Sequence, residues 1–340
     1  MENTTNYNQQ QYYYPPMQLR QEKKPLPAFV GPLVLFFVGL FSVIPNSTGH
    51  IVAAYTLPEY MDNWQFREHI MITSAGSLLS NIFYFLLVGL AGFFCYRGFR
   101  GSLKFTGCLL IGLYLTWFFF DILYGIGFLQ GDLFILSYST QTTIYYTIPP
   151  LLGTIFSTIL LVIIDILEKK TKKNKNPITV NYDQYGNFVM FPKNKGFSVA
   201  RASIVVLVTF ILYIIFFLVS KFIPVNIDNS NYFYSAIYFC PAITYLITLI
   251  CIVSLSFLIG KGVKNGVGLI GCYASSAFIA QALYSMINLI LFSIVGVDIV
   301  ESGYYNAVTI ILTVIANLTG ALITIGIVAL IHNRKEFSEN

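Results

Sequence analysis

Long apolar runs, separated by short polar segments, occupy most of this chain. A helix needs about 20 apolar residues to cross a hydrocarbon core of about 30 Å, and runs of about this length recur along the sequence. The pattern predicts an all-α polytopic membrane protein with eight transmembrane helices. The predicted spans are residues 28–44, 70–94, 105–129, 146–167, 202–223, 234–259, 267–296 and 306–331.

Prolines indicate where two of these helices begin or end. Pro45 follows the first apolar run directly, and it predicts the end of that span because proline cannot continue the hydrogen-bond ladder of a helix. Pro149 and Pro150 come early in the fourth run, where the first turn of a helix tolerates a missing N–H group. The polar segment 45–69 is therefore predicted to be the longest outer loop.

The composition also favours a membrane protein. Hydrophobic residues make up 56% of the 340 residues and charged residues only 10%, which is too few to cover the surface of a soluble protein of this length. The first apolar run starts too late and continues too long for a secretory signal peptide. All five cysteines lie in or beside apolar runs, so the sequence contains no disulfide framework.

Basic residues divide unevenly between the segments that join the runs. If the N-terminus is cytosolic and the spans alternate, every lysine and arginine except Arg67 and Lys221 lies on the cytosolic side. This is the bias that the positive-inside rule describes. It predicts cytosolic N- and C-termini in a plasma membrane or endomembrane. A seven-span receptor map without the first run is disfavoured, because it places Arg20, Lys23 and Lys24 outside.

The same map divides the chain into two membrane units and three cytosolic segments. The basic run Lys169–Lys175 is expected to attract anionic lipids of the inner leaflet, at about 1 kcal/mol per nearby cation. The predicted parts are a disordered tail at 1–27, a four-span unit at 28–167, a basic linker at 168–201, a second four-span unit at 202–331 and a tail at 332–340.

A short motif occurs twice at a constant separation of 164 positions. Each copy is a basic turn with a glycine that permits unusual backbone angles, followed by a Gly-Cys pair where a neighbouring helix can approach closely. The motif predicts a duplication, and four spans per copy make the two repeats parallel. The matching residues are Arg97, Gly98, Arg100, Gly107 and Cys108 in the first copy, and Lys261, Gly262, Lys264, Gly271 and Cys272 in the second.

Polar residues within the spans are the candidates for function. Trp117, Asp121 and Tyr124 share one face of the third span, and a shift of 164 positions places Gln281, Ser285 and Asn288 on the same face of the seventh. We expect the two faces to meet near the pseudo-symmetry axis, either as a polar cavity or as a packed cluster of hydrogen bonds. Asp165, four residues before Lys169, is expected to pair with that lysine on the helix surface.

Two features of the first outer segment suggest a modification and a metal site. Asn46 begins a glycosylation sequon, although it lies close to the end of the first predicted span. His50 and His69 lie in the same segment, but their spacing matches no metal-ligand pattern and solvated loop histidines are the favoured interpretation.

The sequence contains no motif that indicates an enzyme, a cofactor site or a nucleic-acid interface. Zinc-hydrolase, serine-hydrolase and phosphate-binding motifs are absent, and all three histidines lie outside the predicted spans. The favoured function is a non-enzymatic membrane-organising or trafficking protein. The alternative is a transporter or channel for a small solute or ion that uses the polar residues around Asp121.

Overall fold

Eight long helices account for almost all of the chain that the structure, a computed structural model, describes. Each is apolar on most of its circumference, as expected for a helix that contacts either protein or lipid on every side. The described residues are 27–57, 62–96, 98–126, 138–173, 198–225, 230–294 and 305–337. The helices are α1 (Val30–Thr56), α2 (Asn63–Tyr96), α3 (Phe99–Gly125), α4 (Tyr138–Lys173), α5 (Val199–Val225), α6 (Ser230–Gly260), α7 (Val263–Ile294) and α8 (Tyr305–Phe337).

All eight helices are long and apolar enough to cross a membrane. The shortest of them have 27 residues, which corresponds to about 40 Å at the helical rise of 1.5 Å per residue. The described part of the chain is thus all-helical and consistent with a multi-pass integral membrane protein. The predicted tail at 1–27 and most of the linker at 168–201 lie outside the described residues, as do Arg97 and the last three residues.

The first and fourth helices extend beyond the ends that were predicted from the positions of the prolines. Pro45 lies inside α1, which continues to Thr56, so the prediction that Pro45 ends the first span is wrong. Pro149 and Pro150 lie well inside α4 rather than in its first turn, because α4 begins at Tyr138. Most of the predicted loop at 45–69 is consequently helical.

Helix packing follows the same scheme in the two halves of the chain. In the first half, α1 and α3 each pack against both α2 and α4. In the second half, α5 and α7 each pack against both α6 and α8. Between the halves, α2 packs against α7, α6 packs against α3, and α3 packs against α7. Exchanging each helix with the one four places along the chain reproduces these contacts. In addition α7 packs against α5 and touches α4, whereas α3 makes no contact of comparable extent with α1 or α8 among the described residues.

The core lies where α3 and α7 cross. Residues 103–110 of α3 and 266–276 of α7 are buried without interruption, so both helices are enclosed by protein at this level. Gly107 and Gly271 lie at the crossing: a Cβ on Gly107 would be 3.0 Å from the backbone nitrogen of Gly271, and a Cβ on Gly271 would collide with the carbonyl oxygen of Leu103. Two bare glycine surfaces therefore let the two backbones touch.

The basic turns of the repeated motif precede α3 and α7. Gly98 has φ +146° and Gly262 has φ +139°, a left-handed conformation that glycine adopts without a steric penalty. The cysteines of the motif, Cys108 and Cys272, are buried beside the crossing, and all five cysteines are free thiols. We call the end of the bundle with these two turns the motif end, and the opposite end the far end.

We expect a methyl group at Gly271 to destabilise the bundle. Overpacking a tight contact typically costs about 1–3 kcal/mol, so Gly271→Ala should lower the midpoint of thermal unfolding of the purified protein in detergent. Gly326→Ala is the matched control, because a Cβ there would meet no atom within 4 Å. Equal midpoints for the two variants would contradict the close crossing of α3 and α7.

Candidate functional site

Asp121 lies in the half of α3 nearest the far end and is almost completely buried, with 1% of its surface exposed. The hydroxyl of Tyr145 on α4 donates a hydrogen bond of 2.5 Å to its Oδ1 atom. A buried carboxyl group is costly unless a donor satisfies it. The carboxyl group of Asp121 therefore links α3 to α4.

Aromatic rings enclose this hydrogen bond. The ring of Tyr145 lies 5.0 Å from that of Trp117 and 4.7 Å from that of Tyr124. Tyr124 also contacts Tyr238 of α6 at 5.2 Å between ring centroids. The structure thus brings together the three candidate residues on α3, and it surrounds Asp121 with rings rather than with an open cavity.

The candidate residues on α7 do not join this cluster. Ser285 and Asn288 are buried, with 3% and 8% of their surfaces exposed. Among the described residues no hydrogen bond connects either of them, or Gln281, to Asp121. The two polar faces therefore do not form one seam along their whole length, and only Trp117 and Gln281 come together, across a cavity.

This central cavity has a volume of about 230 Å³ and is lined by side chains of α1 to α7. It is not fully closed, because Gln281 in its lining is exposed. It lies near mid-length of α3 and α7. Its described lining consists of apolar and aromatic side chains together with small polar ones, and none of them is charged. The polar and aromatic lining residues are Asn46, Ser77, Ser80, Asn81, Tyr84, Tyr114, Trp117, Tyr213, Tyr245, Phe278 and Gln281.

Several polar groups in the wall remain available for a ligand. The backbone N–H of Asn46 donates to Ser80 Oγ at 2.9 Å, and the side-chain amide of Asn81 donates to the carbonyl oxygen of Ser77 at 2.8 Å. The side-chain amides of Asn46 and Gln281 make no hydrogen bond to any described residue. Each amide provides both donors and an acceptor, so the cavity can bind a polar molecule or several waters.

The position of Asn46 differs from the predicted one. It lies inside α1 and lines the cavity, while the next residue, Ser47, is buried and donates a 2.9 Å hydrogen bond to the carbonyl oxygen of Tyr146 on α4. The prediction that this sequon lies near an outer loop is wrong, and its packing against α2 and α4 argues against a glycan on Asn46.

The two outer histidines also lie on helices rather than in a loop. The ring of His50 stacks on that of Tyr146 with 3.4 Å between centroids, and His69 lies in the second turn of α2. No group of three or more histidine, cysteine, aspartate or glutamate side chains comes together in the part of the chain that the structure describes. The described residues therefore provide no complete set of metal ligands.

A buried ion cluster near the motif end was missed by the sequence analysis. Nζ of Lys104 on α3 lies 2.5 Å from Asp165 Oδ1 and 2.9 Å from Glu168 Oε2, both on α4, and 6% of the lysine side chain is exposed. The hydroxyl of Tyr96 on α2 donates to Asp165 Oδ2 at 2.5 Å. The expected pairing of Asp165 with Lys169 is wrong, because Asp165 points toward α3.

One signal in the sequence indicates this cluster. Asp165 and Glu168 lie three residues apart and so share a helix face, while Lys104 directly precedes the third predicted span. A cation at the edge of a span needs a partner if its side chain is turned into the bundle, since an unpaired buried charge is costly.

Comparisons of this chain with models of protein families, with curated proteins and with solved structures found no match.

We expect Lys104→Met to be strongly destabilising, because it leaves two carboxylates without their cation. Removing one partner of a buried ion pair costs about 3–5 kcal/mol, and partial exposure of the two acids places the loss near the lower value. Thermal unfolding in detergent measures the effect, and Lys169→Met is the matched control on an exposed lysine. A greater loss for Lys169→Met than for Lys104→Met would contradict the observed pairing.

Proposed function

We propose that this chain is a membrane-inserted duplication, in which two four-helix units are related by an axis along the membrane normal. The support comes from the helix contacts, most of which are reproduced when each helix of the first half is exchanged with its counterpart in the second. The helix α3 and its counterpart α7 contact each other, as helices next to a two-fold axis must. The equivalent glycines Gly107 and Gly271 lie at their crossing.

We also propose that the motif end faces the cytosol. The positive-inside rule supports this orientation, since nearly all lysines and arginines fall in segments at that end. Lys169 and Lys170, exposed near the end of α4, would then lie close to the anionic lipids of the inner leaflet.

The orientation predicts which epitope tags are accessible. Tags at both termini should react with antibody after selective permeabilisation of the plasma membrane, because both ends are expected in the cytosol. A tag inserted in residues 297–304, within a predicted outer loop, should react only from the cell exterior or after every membrane is permeabilised. Staining of either terminus on intact cells would contradict the orientation.

We further propose that the protein binds a small polar solute in the central cavity and carries it across the membrane. The observation that carries this proposal is the cavity itself, which is uncharged along its described lining and presents amide and hydroxyl groups from both halves. Carriers built from repeats commonly bind their substrates near mid-membrane at the interface between the repeats. Rocking of one half against the other would open such a cavity to either side.

A change at Gln281 tests this function. Gln281→Leu keeps the size of the side chain but removes its hydrogen-bonding groups, and losing such a group typically costs 1–3 kcal/mol. We expect glycerol flux into proteoliposomes that contain the purified protein to fall about tenfold. Thr319→Val, on a side chain outside the cavity that bonds only its own helix, is the control. Wild-type flux no higher than that of protein-free vesicles, for glycerol and for a hydroxycarboxylate of the same size, would contradict the proposal.

A non-enzymatic membrane-organising or trafficking role is the second candidate. The observation that favours it is the environment of Asp121, whose carboxyl group is enclosed and hydrogen-bonded to Tyr145 instead of facing the cavity. A carboxyl group used in this way stabilises the packing of α3 against α4. The described lining of the central cavity then contains no acidic side chain. Absence of flux for every solute tested, in a protein that remains folded, would favour this role.

A further inference from the structure

A second cavity adjoins the central one. It has a volume of about 140 Å³, lies between α5, α7 and α8, and shares Tyr213 and Gln281 with the central cavity. Its wall is partly polar, because Tyr284, Thr309, Thr313 and Asn317 line it. Gln281, whose side chain is exposed, lines both cavities.

The second cavity differs from the first in containing a cation. Lys221, near the end of α5 at the far end of the bundle, lines it, and its Nζ atom lies 5.7 Å from the centroid of the Phe217 ring. No acidic side chain appears in the described lining, and Lys221 forms no ion pair with any described residue. Lys221 is also one of only two basic residues that the charge pattern does not place at the cytosolic end.

The neighbouring polar groups complement this ammonium group. The side-chain amide of Asn317 donates to the carbonyl oxygen of Thr313 at 2.8 Å, and the hydroxyl of Thr313 donates to the carbonyl oxygen of Thr309 at 2.8 Å. Both side chains thus use donors within α8, which leaves Lys221, Gln281 and the hydroxyl groups of Tyr213, Tyr284 and Thr309 as donors in the described lining. An ammonium group with no acidic partner among the described residues, in the same lining as the amide of Gln281, is suited to one carboxylate.

We propose that the second cavity is an anion-binding vestibule, and that the solute is a small organic monoanion with an uncharged hydrogen-bonding body. This inference rests on the proposed solute-carrying function and names its substrate class. Lys221 attracts the carboxylate at the far end of the bundle. The hydroxyl or amide groups of the solute then bind to Gln281 and to the polar wall of the central cavity.

Inorganic cations are disfavoured by the same arrangement. The ammonium group of Lys221 repels a cation, and neither described lining supplies a carboxylate that would replace its water of hydration. For a doubly charged anion, the described walls of the two cavities provide only one cation, Lys221. A single negative charge is therefore the best match.

The test compares L-lactate, a hydroxycarboxylate, with glycerol, a neutral molecule with the same number of non-hydrogen atoms. Flux of each probe is measured in proteoliposomes that contain the full-length protein, with protein-free vesicles as background. Lys221→Met removes the charge and keeps the length of the side chain, whereas Lys221→Arg keeps the charge. Lys170→Met removes an exposed cation that lines neither cavity.

We expect Lys221→Met to lower the ratio of lactate flux to glycerol flux about tenfold, because only the charged probe loses a hydrogen bond from a charged group. Lys221→Arg should keep that ratio within about threefold of the wild type, since the charge remains. Lys170→Met should leave the ratio at the wild-type value. If Lys221→Met does not yield folded protein, Lys221→Gln provides the same measurement.

Two results would overturn the inference and leave the central cavity as a solute site: an unchanged ratio in Lys221→Met, or glycerol flux without lactate flux in the wild type. If the wild type passes neither probe, the proposed carrier function fails, and the vestibule fails with it.

Discussion

The close crossing of α3 and α7 is the contact on which the rest of the bundle depends. Lipid tails are as apolar as leucine, so helices in a membrane gain little from hydrophobic burial and associate through tight packing of small residues. Gly107 and Gly271 allow that packing. Ten residues beyond each glycine, about 15 Å along each helix axis, Trp117 and Gln281 line the central cavity. One crossing thus sets both the contact between the halves and the position of the candidate site.

The helix ends show why rules from soluble proteins failed here. Proline usually ends a helix, yet α1 continues through Pro45 and α4 through Pro149 and Pro150. An unpaired backbone group costs more in an apolar medium than in water, which favours continuing the helix. Proline at 150 deprives the carbonyl oxygen of Tyr146 of its usual N–H donor, and the hydroxyl of Ser47 supplies the missing hydrogen bond from α1. Such a donor comes from tertiary packing, so the proline alone does not predict it.

The sequence predicted best what depends on neighbouring residues. Apolar run length located all eight helices, and the glycines of the basic turns have the positive φ values for which glycine is needed. It failed where partners are distant along the chain: Lys104 and Asp165 are 61 positions apart, and the local four-residue spacing favoured Lys169 instead. The faces of α3 and α7 were predicted to meet along their length, but rotation of each helix brings only Trp117 and Gln281 to a common cavity. Periodicity gives the angular position of a residue on its own helix. It does not identify the neighbouring helix that the residue faces.

The distribution of charge explains how a bundle of this kind can hold a polar cavity at mid-depth. Lys104 is neutralised by two acids near the motif end, and the carboxyl group of Asp121 receives a hydrogen bond behind a layer of aromatic rings. Neither Lys104 nor Asp121 lines the central cavity. No charge in its described lining therefore needs a fixed partner inside the bundle. Among the described residues, Lys221 is the cation that lines the second cavity, at the far end of the bundle. The groups that stabilise the fold are therefore separate from the groups proposed to bind the solute.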